Sequence, residues 1–136
     1  MAFHPYLYFN GNCREAFTRY QEIFGGELIV MDGHQAPPDA GIPEDKRDLV
    51  MHAALTNGDE LLMASDSYGD FAPAAGTWVH YATTDMDRAK AIFAGLSDGG
   101  RVNQEGREEF WTPFYGSCTD RFGVSWQVSV EQSEQG

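Results

Sequence analysis

The side chains in this 136-residue chain that are able to do chemistry are few. His52 lies on a predicted strand, Leu49 to Thr56, opposite the segment Met63 to Asp66. An imidazole titrates near neutral pH, so His52 would serve as a general base or as a hydrogen-bonding group in a pocket. The favoured expectation is a structural histidine bonded to Ser65, Asp66 or a backbone carbonyl. Cys13 falls in the first turn of a predicted helix, where the helix dipole favours a thiolate. No histidine is near it in sequence, so a small, half-buried residue beside the cap is expected instead. Cys118, on an apolar strand, is expected in the core. Trp111, Tyr115 and Trp126 would form an aromatic wall for a planar or apolar ligand, although strand alternation must turn some of them toward a helix. Trp111 is balanced between the two roles. Asp39, Glu44, Asp45 and Asp48 read as solvated loop surface. No nucleophile elbow supports Ser-His-Asp catalysis, and two cysteines are too few for a zinc ribbon or finger.

The whole chain must position these residues as one domain, since its length gives one real core and not two independent ones. With 42% apolar and 13% aromatic residues it has ordinary globular composition. Its net charge of −12 opposes nucleic acid and anionic membranes, so neither is expected as a partner. No signal peptide and no membrane-length apolar run is evident, and a cytoplasmic protein with free thiols is expected.

Tyr6-Leu7-Tyr8-Phe9 reads as a strand between Pro5 and Asn10-Gly11. Asn12 reads as a helix N-cap with Glu15 completing a capping box. Ala16, Phe17, Tyr20, Ile23 and Phe24 form one apolar stripe, ended by Gly25-Gly26. Leu28 to Met31 is a strand, and Asp32 to Asp48, with three prolines, is a long loop. Asn57-Gly58-Asp59 joins two strands as a hairpin. The plan then repeats. Thr77 to Thr83 is a strand, Asp85 caps a helix striped by Ala89, Ile92, Phe93 and Leu96, and Gly99-Gly100 ends it about 74 residues after the first glycine pair. A strand beginning at Arg101-Val102 follows, then Phe114 to Thr119 and Val124 to Val130.

The order β-α-β-β-β, twice, predicts an α+β fold of two tandem βαβββ modules forming a cupped mixed sheet. Module one covers about 1–66, a linker 67–76, module two about 77–131, and a polar tail 132–136. Each module would leave one sheet face bare, and two bare faces would cup a shared cavity. A ferredoxin-like fold is the competitor, but it does not need eight strands.

Four pieces in this order resemble the vicinal oxygen chelate (glyoxalase/bleomycin resistance/dioxygenase) superfamily, in its PhnB-like branch. They are Pro5 to Cys13 running into the helix that ends Phe24-Gly25-Gly26-Glu27; His52-Ala53 beside Met63 to Asp66; Phe110-Trp111; and Thr119 to Val124 followed by Trp126. The resemblance implies a cavity bounded by strands of both modules, often with a divalent metal, and a homodimer. The metal positions it implies fall on Pro5, Met63, Val79 and Gln127, a set that cannot hold a hard divalent ion. A register slip of one residue would instead offer His4 and His80 with Gln127 or Glu131. Some members of the branch carry a methyltransferase label; no glycine-rich strand-to-helix turn is present to cradle a methyl-donor nucleoside, so that label is set aside.

Three readings follow, in order of preference. The first is a binding protein that holds a small apolar or aromatic ligand in a pocket of Leu7, Phe9, His52, Met63, Ser65, Tyr81, Trp111, Tyr115, Trp126 and Gln127, with no cofactor. The second is a metal-dependent lyase, isomerase or dioxygenase using His4, His80 and Glu131 to hold Zn, Ni, Mn or Fe. The third is an interaction module whose cavity is filled by side chains such as Tyr81 and Trp111. The sequence names no catalytic residue and leaves open whether the protein is an enzyme.

Overall fold

In the computed structural model each half of the chain pairs one four-stranded sheet with one helix. The structure describes residues 3–131, so the predicted tail, 132–136, lies outside the described residues. The chain divides into two units, Met1–Ala72 and Pro73–Gly136. The first contains β1 (Tyr6–Phe9), α1 (Cys13–Phe24), β2 (Glu27–Asp32), β3 (Val50–Asn57) and β4 (Glu60–Asp66). Its sheet order is β1-β4-β3-β2, with β1 parallel to β4 and the other pairs antiparallel. The second contains β5 (Val79–Thr83), α2 (Met86–Ser97), β6 (Arg101–Glu109), β7 (Thr112–Thr119) and β8 (Ser125–Val130). Its order, β5-β8-β7-β6, repeats the first, including the parallel pairing of β5 with β8. The repeat is therefore two separate mixed sheets. No helix among the described residues is long and apolar enough to cross a membrane.

The apolar stripes create each core. Ala16, Phe17 and Tyr20 of α1 are buried, and Phe17 meets Phe9 of β1 edge to face with ring centroids 6.1 Å apart. In the second unit Ala89, Ile92, Phe93 and Leu96 of α2 are buried, and Phe93 meets Phe114 at 6.0 Å. Each large apolar side chain buried this way contributes about 1.5–3 kcal/mol. The glycine pairs that end the helices serve matching purposes. Gly25 and Gly99 take φ of 80° and 78°, which disfavours any residue with a Cβ. A Cβ on Gly26 would strike the Thr56 carbonyl oxygen, and one on Gly100 the Thr119 carbonyl oxygen.

The cap of α1 differs from the expected box. Asn12 precedes the helix but its side chain makes no cap bond. Buried Asp66, at the end of β4, supplies the carboxylate instead: Oδ1 accepts from Gly11 N–H and Cys13 N–H, each at 3.0 Å, and Oδ2 accepts from Val50 N–H at 2.9 Å. One side chain thus ties β4 to the β1–α1 turn and to the start of β3. In α2, Asp85 is a local cap, accepting from Arg88 N–H at 3.1 Å. Leaving a buried donor unpaired costs about 1–3 kcal/mol. Asp66→Ala should therefore lower unfolding stability by about 3 kcal/mol or more in urea titration, Asp66→Asn by less, and Asp59→Ala in the β3–β4 turn by under about 0.5 kcal/mol.

Candidate functional site

Strand alternation sorts every candidate residue onto one of two faces. In the first sheet Leu7, Phe9, Ala53, Leu55 and Ala64 share the face beneath α1. Tyr6 pairs with Met63, and Tyr8 with Ser65, on the face that α1 leaves bare. Ala54 stands beside Met63, Ile29 beside Ala54 and Met31 beside His52 on that same face. Tyr6 Oη and His52 Nδ1 are 3.2 Å apart, and the Tyr6 ring lies 5.6 Å from that of Tyr8. Tyr8 and Ile29 are 64% and 56% exposed, an apolar surface that their own helix does not cover.

In the second sheet Val79, Tyr81, Trp126, Val128, Gly116 and Cys118 share the face beneath α2. The opposite face carries a polar row. His80 pairs in register with Gln127, and Ser129 with Tyr115 and Ala82. His80 Nδ1 lies 3.0 Å from Gln127 Oε1, and His80 Nε2 lies 2.9 Å from Ser129 Oγ. An amide oxygen only accepts, so Nδ1 carries the proton and donates, while Nε2 accepts from the Ser129 hydroxyl. The Trp111 and Tyr115 rings meet at 5.1 Å beside this row. On β6, Gln104 and Arg107 stand opposite Ser117 and Tyr115, and both donate to Glu109 Oε1, at 3.1 and 3.0 Å.

These faces correct four expected pocket residues. Leu7 pairs with buried Ala64, and Phe9 packs on Phe17, so both belong under α1. Tyr81 turns toward α2, where its hydroxyl accepts from Arg88 Nε at 3.0 Å. Trp126 is buried, and its Nε1 donates to Asp120 Oδ2 at 2.9 Å. Asp120 Oδ1 also accepts from Phe122 and Val124 N–H, so this carboxylate locks the β7–β8 turn and Trp126 together. His52, Met63 and Ser65 take the bare face of the first sheet; Tyr115 and Gln127 take that of the second, with Trp111 packed edge-on against Tyr115. The sequence reading missed Tyr6, Tyr8 and Ser129. Alternation with Leu7 and Phe9 placed the two tyrosines on one face together but did not say which face α1 covers.

Both cysteines are buried and unpaired. Burial, reinforced by the Asp66 charge, pushes the Cys13 thiol up to about 12, overriding the helix dipole. Burial also raises the Cys118 thiol. Neither is a nucleophile at neutral pH. In the long loop His34 Nε2 meets Asp48 Oδ1 at 2.7 Å, and that bond raises the imidazole.

The donor set does not fit the divalent metal that the resemblance implies. Both His80 nitrogens are engaged by a neutral amide and a hydroxyl. His4 precedes β1 and is exposed; Glu131 follows β8 and is exposed. No group of three or more His, Cys, Asp or Glu side chains able to hold a metal occurs among the described residues.

A family model described as 3-demethylubiquinone-9 3-methyltransferase matches residues 1–129. The chain belongs to that family. Its fold is that of the protein PA1353 from Pseudomonas aeruginosa, which is 38% identical, covers 98% of this chain and 99% of its own, and superposes with a TM-score of 0.88. Protein YjdN of Escherichia coli strain K12 is 25% identical over 147 residues, 98% of each chain. The PhnB protein of Bacillus cereus, 22% identical over 96% of this chain and 100% of its own, shares the fold at a TM-score of 0.74. A glyoxalase/bleomycin resistance protein/dioxygenase family enzyme from Burkholderia phytofirmans PsJN, 9% identical over 93% and 95%, shares it at 0.63. The glyoxalase-type, two-module α+β fold expected from the sequence is thus the fold of this PhnB-like family member.

The tautomer of His80 is open to direct measurement. Two-bond ¹H–¹⁵N correlation spectra at neutral pH should show the proton on Nδ1, the less common form of free imidazole, and Gln127→Leu should restore the ordinary Nε2–H form. An Nε2–H pattern in the unaltered protein would contradict the hydrogen-bond row.

Proposed function

We propose that this protein binds a small apolar or aromatic molecule without transforming it, and that the ligand lies against the face of β5–β8 that α2 leaves bare. The observation that carries the reading is the Gln127–His80–Ser129 row beside Tyr115 and Trp111, whose rings meet edge to face. Ligand sites of this kind combine apolar and aromatic contact with a few fixed polar groups that set orientation. Here the rings supply the contact, and each offset or edge-on ring pairing adds about 0.5–1.5 kcal/mol beyond area burial. The polar row supplies the orientation, because His80 is held at both nitrogens. An imidazole so engaged is a positioning group and not a free base, which favours holding a ligand over proton transfer.

The reading takes a second copy of the chain as its protein partner. Exposed Ile29 and Met31 on the bare face of the first sheet support self-association, because such rows commonly mark interaction surfaces. The two unpaired, buried thiols suit a reducing compartment, which supports a cytoplasmic setting.

Indole and 2-naphthol, titrated against labelled protein, should shift the amide signals of His80, Tyr115 and Gln127 saturably, and both should be recovered unchanged. Tyr115→Ala should weaken binding about three- to tenfold. Binding that survives Tyr115→Ala and His80→Ala together at full strength would overturn the reading, as would conversion of either probe.

A further inference from the structure

The linker that follows β4 builds a separate cavity in the first unit. Ser67 N–H donates to the Phe9 carbonyl at 2.7 Å, which carries the pairing of β4 with β1 one residue further. Ser67 Oγ then lies within bonding distance of the carbonyl oxygens of Gly69, at 3.3 Å, and Asp70, at 3.4 Å. This fixes a turn over 67–70 and brings the following residues back beside β1. Tyr8, Ser67, Asp70, Phe71 and Ala72 together line a cavity of about 260 Å³. All five belong to the first unit, so this cavity shares no residue with the row on the second sheet.

The lining combines two aromatic side chains, Tyr8 and Phe71, with one carboxylate, Asp70. Aromatic ring faces carry a negative quadrupole that attracts ammonium groups within about 6 Å of the ring centre. The Asp70 carboxylate makes no ion pair or hydrogen bond among the described residues; only its backbone carbonyl is used by the turn. Lys46, which donates to the Tyr68 carbonyl at 2.9 Å, is not part of the lining, and no lysine or arginine is. An anion placed here would be repelled by the Asp70 carboxylate, whereas a cation would be attracted to it. The net charge of −12 raises the local concentration of cations around the molecule. The volume lies just below the roughly 300 Å³ at which drug-sized pockets begin, so the ligand is small.

We propose that this cavity binds a small organic cation, a methylated or quaternary ammonium seated on the rings of Tyr8 and Phe71 and paired with Asp70. It is a second ligand site, with chemistry opposite to the neutral aromatic ligand assigned to the second sheet.

Choline and its neutral carbon isostere, 3,3-dimethylbutan-1-ol, test the charge selection on the full chain. Choline should shift the signals of Tyr8, Asp70 and Phe71 saturably, and the isostere should bind about tenfold more weakly or not at all. Asp70→Asn and Phe71→Ala, both in an exposed linker, should each weaken choline about fivefold or more, with circular dichroism confirming that the variants fold. Asp59→Asn, in the β3–β4 turn, removes the same charge elsewhere and should leave choline binding unchanged. Equal binding of choline and the isostere would overturn the proposal. So would equal weakening by Asp70→Asn and Asp59→Asn, or no saturable choline binding.

Discussion

One helix covers one face of one four-stranded sheet, and this constraint orders everything else in each unit. A strand turns successive side chains to opposite faces. Once α1 claims Phe9 through Phe17, Tyr8 must lie on the other side; once α2 claims Phe114 through Phe93, Tyr115 must do the same. The bare faces therefore follow from the packing of the helices. They carry large aromatic side chains together with histidine, serine and glutamine, a mixture suited to holding a small molecule and unlike the apolar sets under the helices.

Two buried carboxylates keep the strands in the register on which this sorting depends. Asp66 joins the ends of three strand-and-turn segments in the first unit through three backbone N–H groups. Asp120 does comparable work in the second, holding two N–H groups of the β7–β8 turn and the indole of Trp126. A slip of one residue in either place would exchange the two faces. It would bring Val79 and Trp126 to the bare face in place of His80 and Gln127. The polar row on the second sheet depends on the turn lock as much as on its own side chains.

Much of the architecture was legible in the chain because local signals agreed with the global plan. The apolar stripes of both helices, the paired glycines and the Asn57-Gly58 turn each marked an element correctly, and the repeat made the two halves check each other. Side-chain direction was less legible. Val79, one of the metal positions that the resemblance implies, lies beneath α2, as do Tyr81 and Trp126 of the expected pocket, while Leu7 and Phe9 lie beneath α1. Periodicity over a four- or five-residue strand cannot tell which face a helix covers when both faces are apolar and aromatic, as in Tyr6-Leu7-Tyr8-Phe9. The cap by Asp66 was illegible for a different reason. Its partners lie 53 and 55 residues away along the chain, beyond any local motif.

Hydroxyl-radical footprinting read by mass spectrometry tests this division of faces most directly, since neighbouring residues of like reactivity fall on opposite sides. Trp111, 49% exposed, and Tyr8 should be oxidised rapidly, whereas Trp126 and Phe9, each 2% exposed, should be protected until the protein unfolds. Oxidation of Trp126 and Phe9 in the folded protein as fast as Trp111 and Tyr8 would contradict the account.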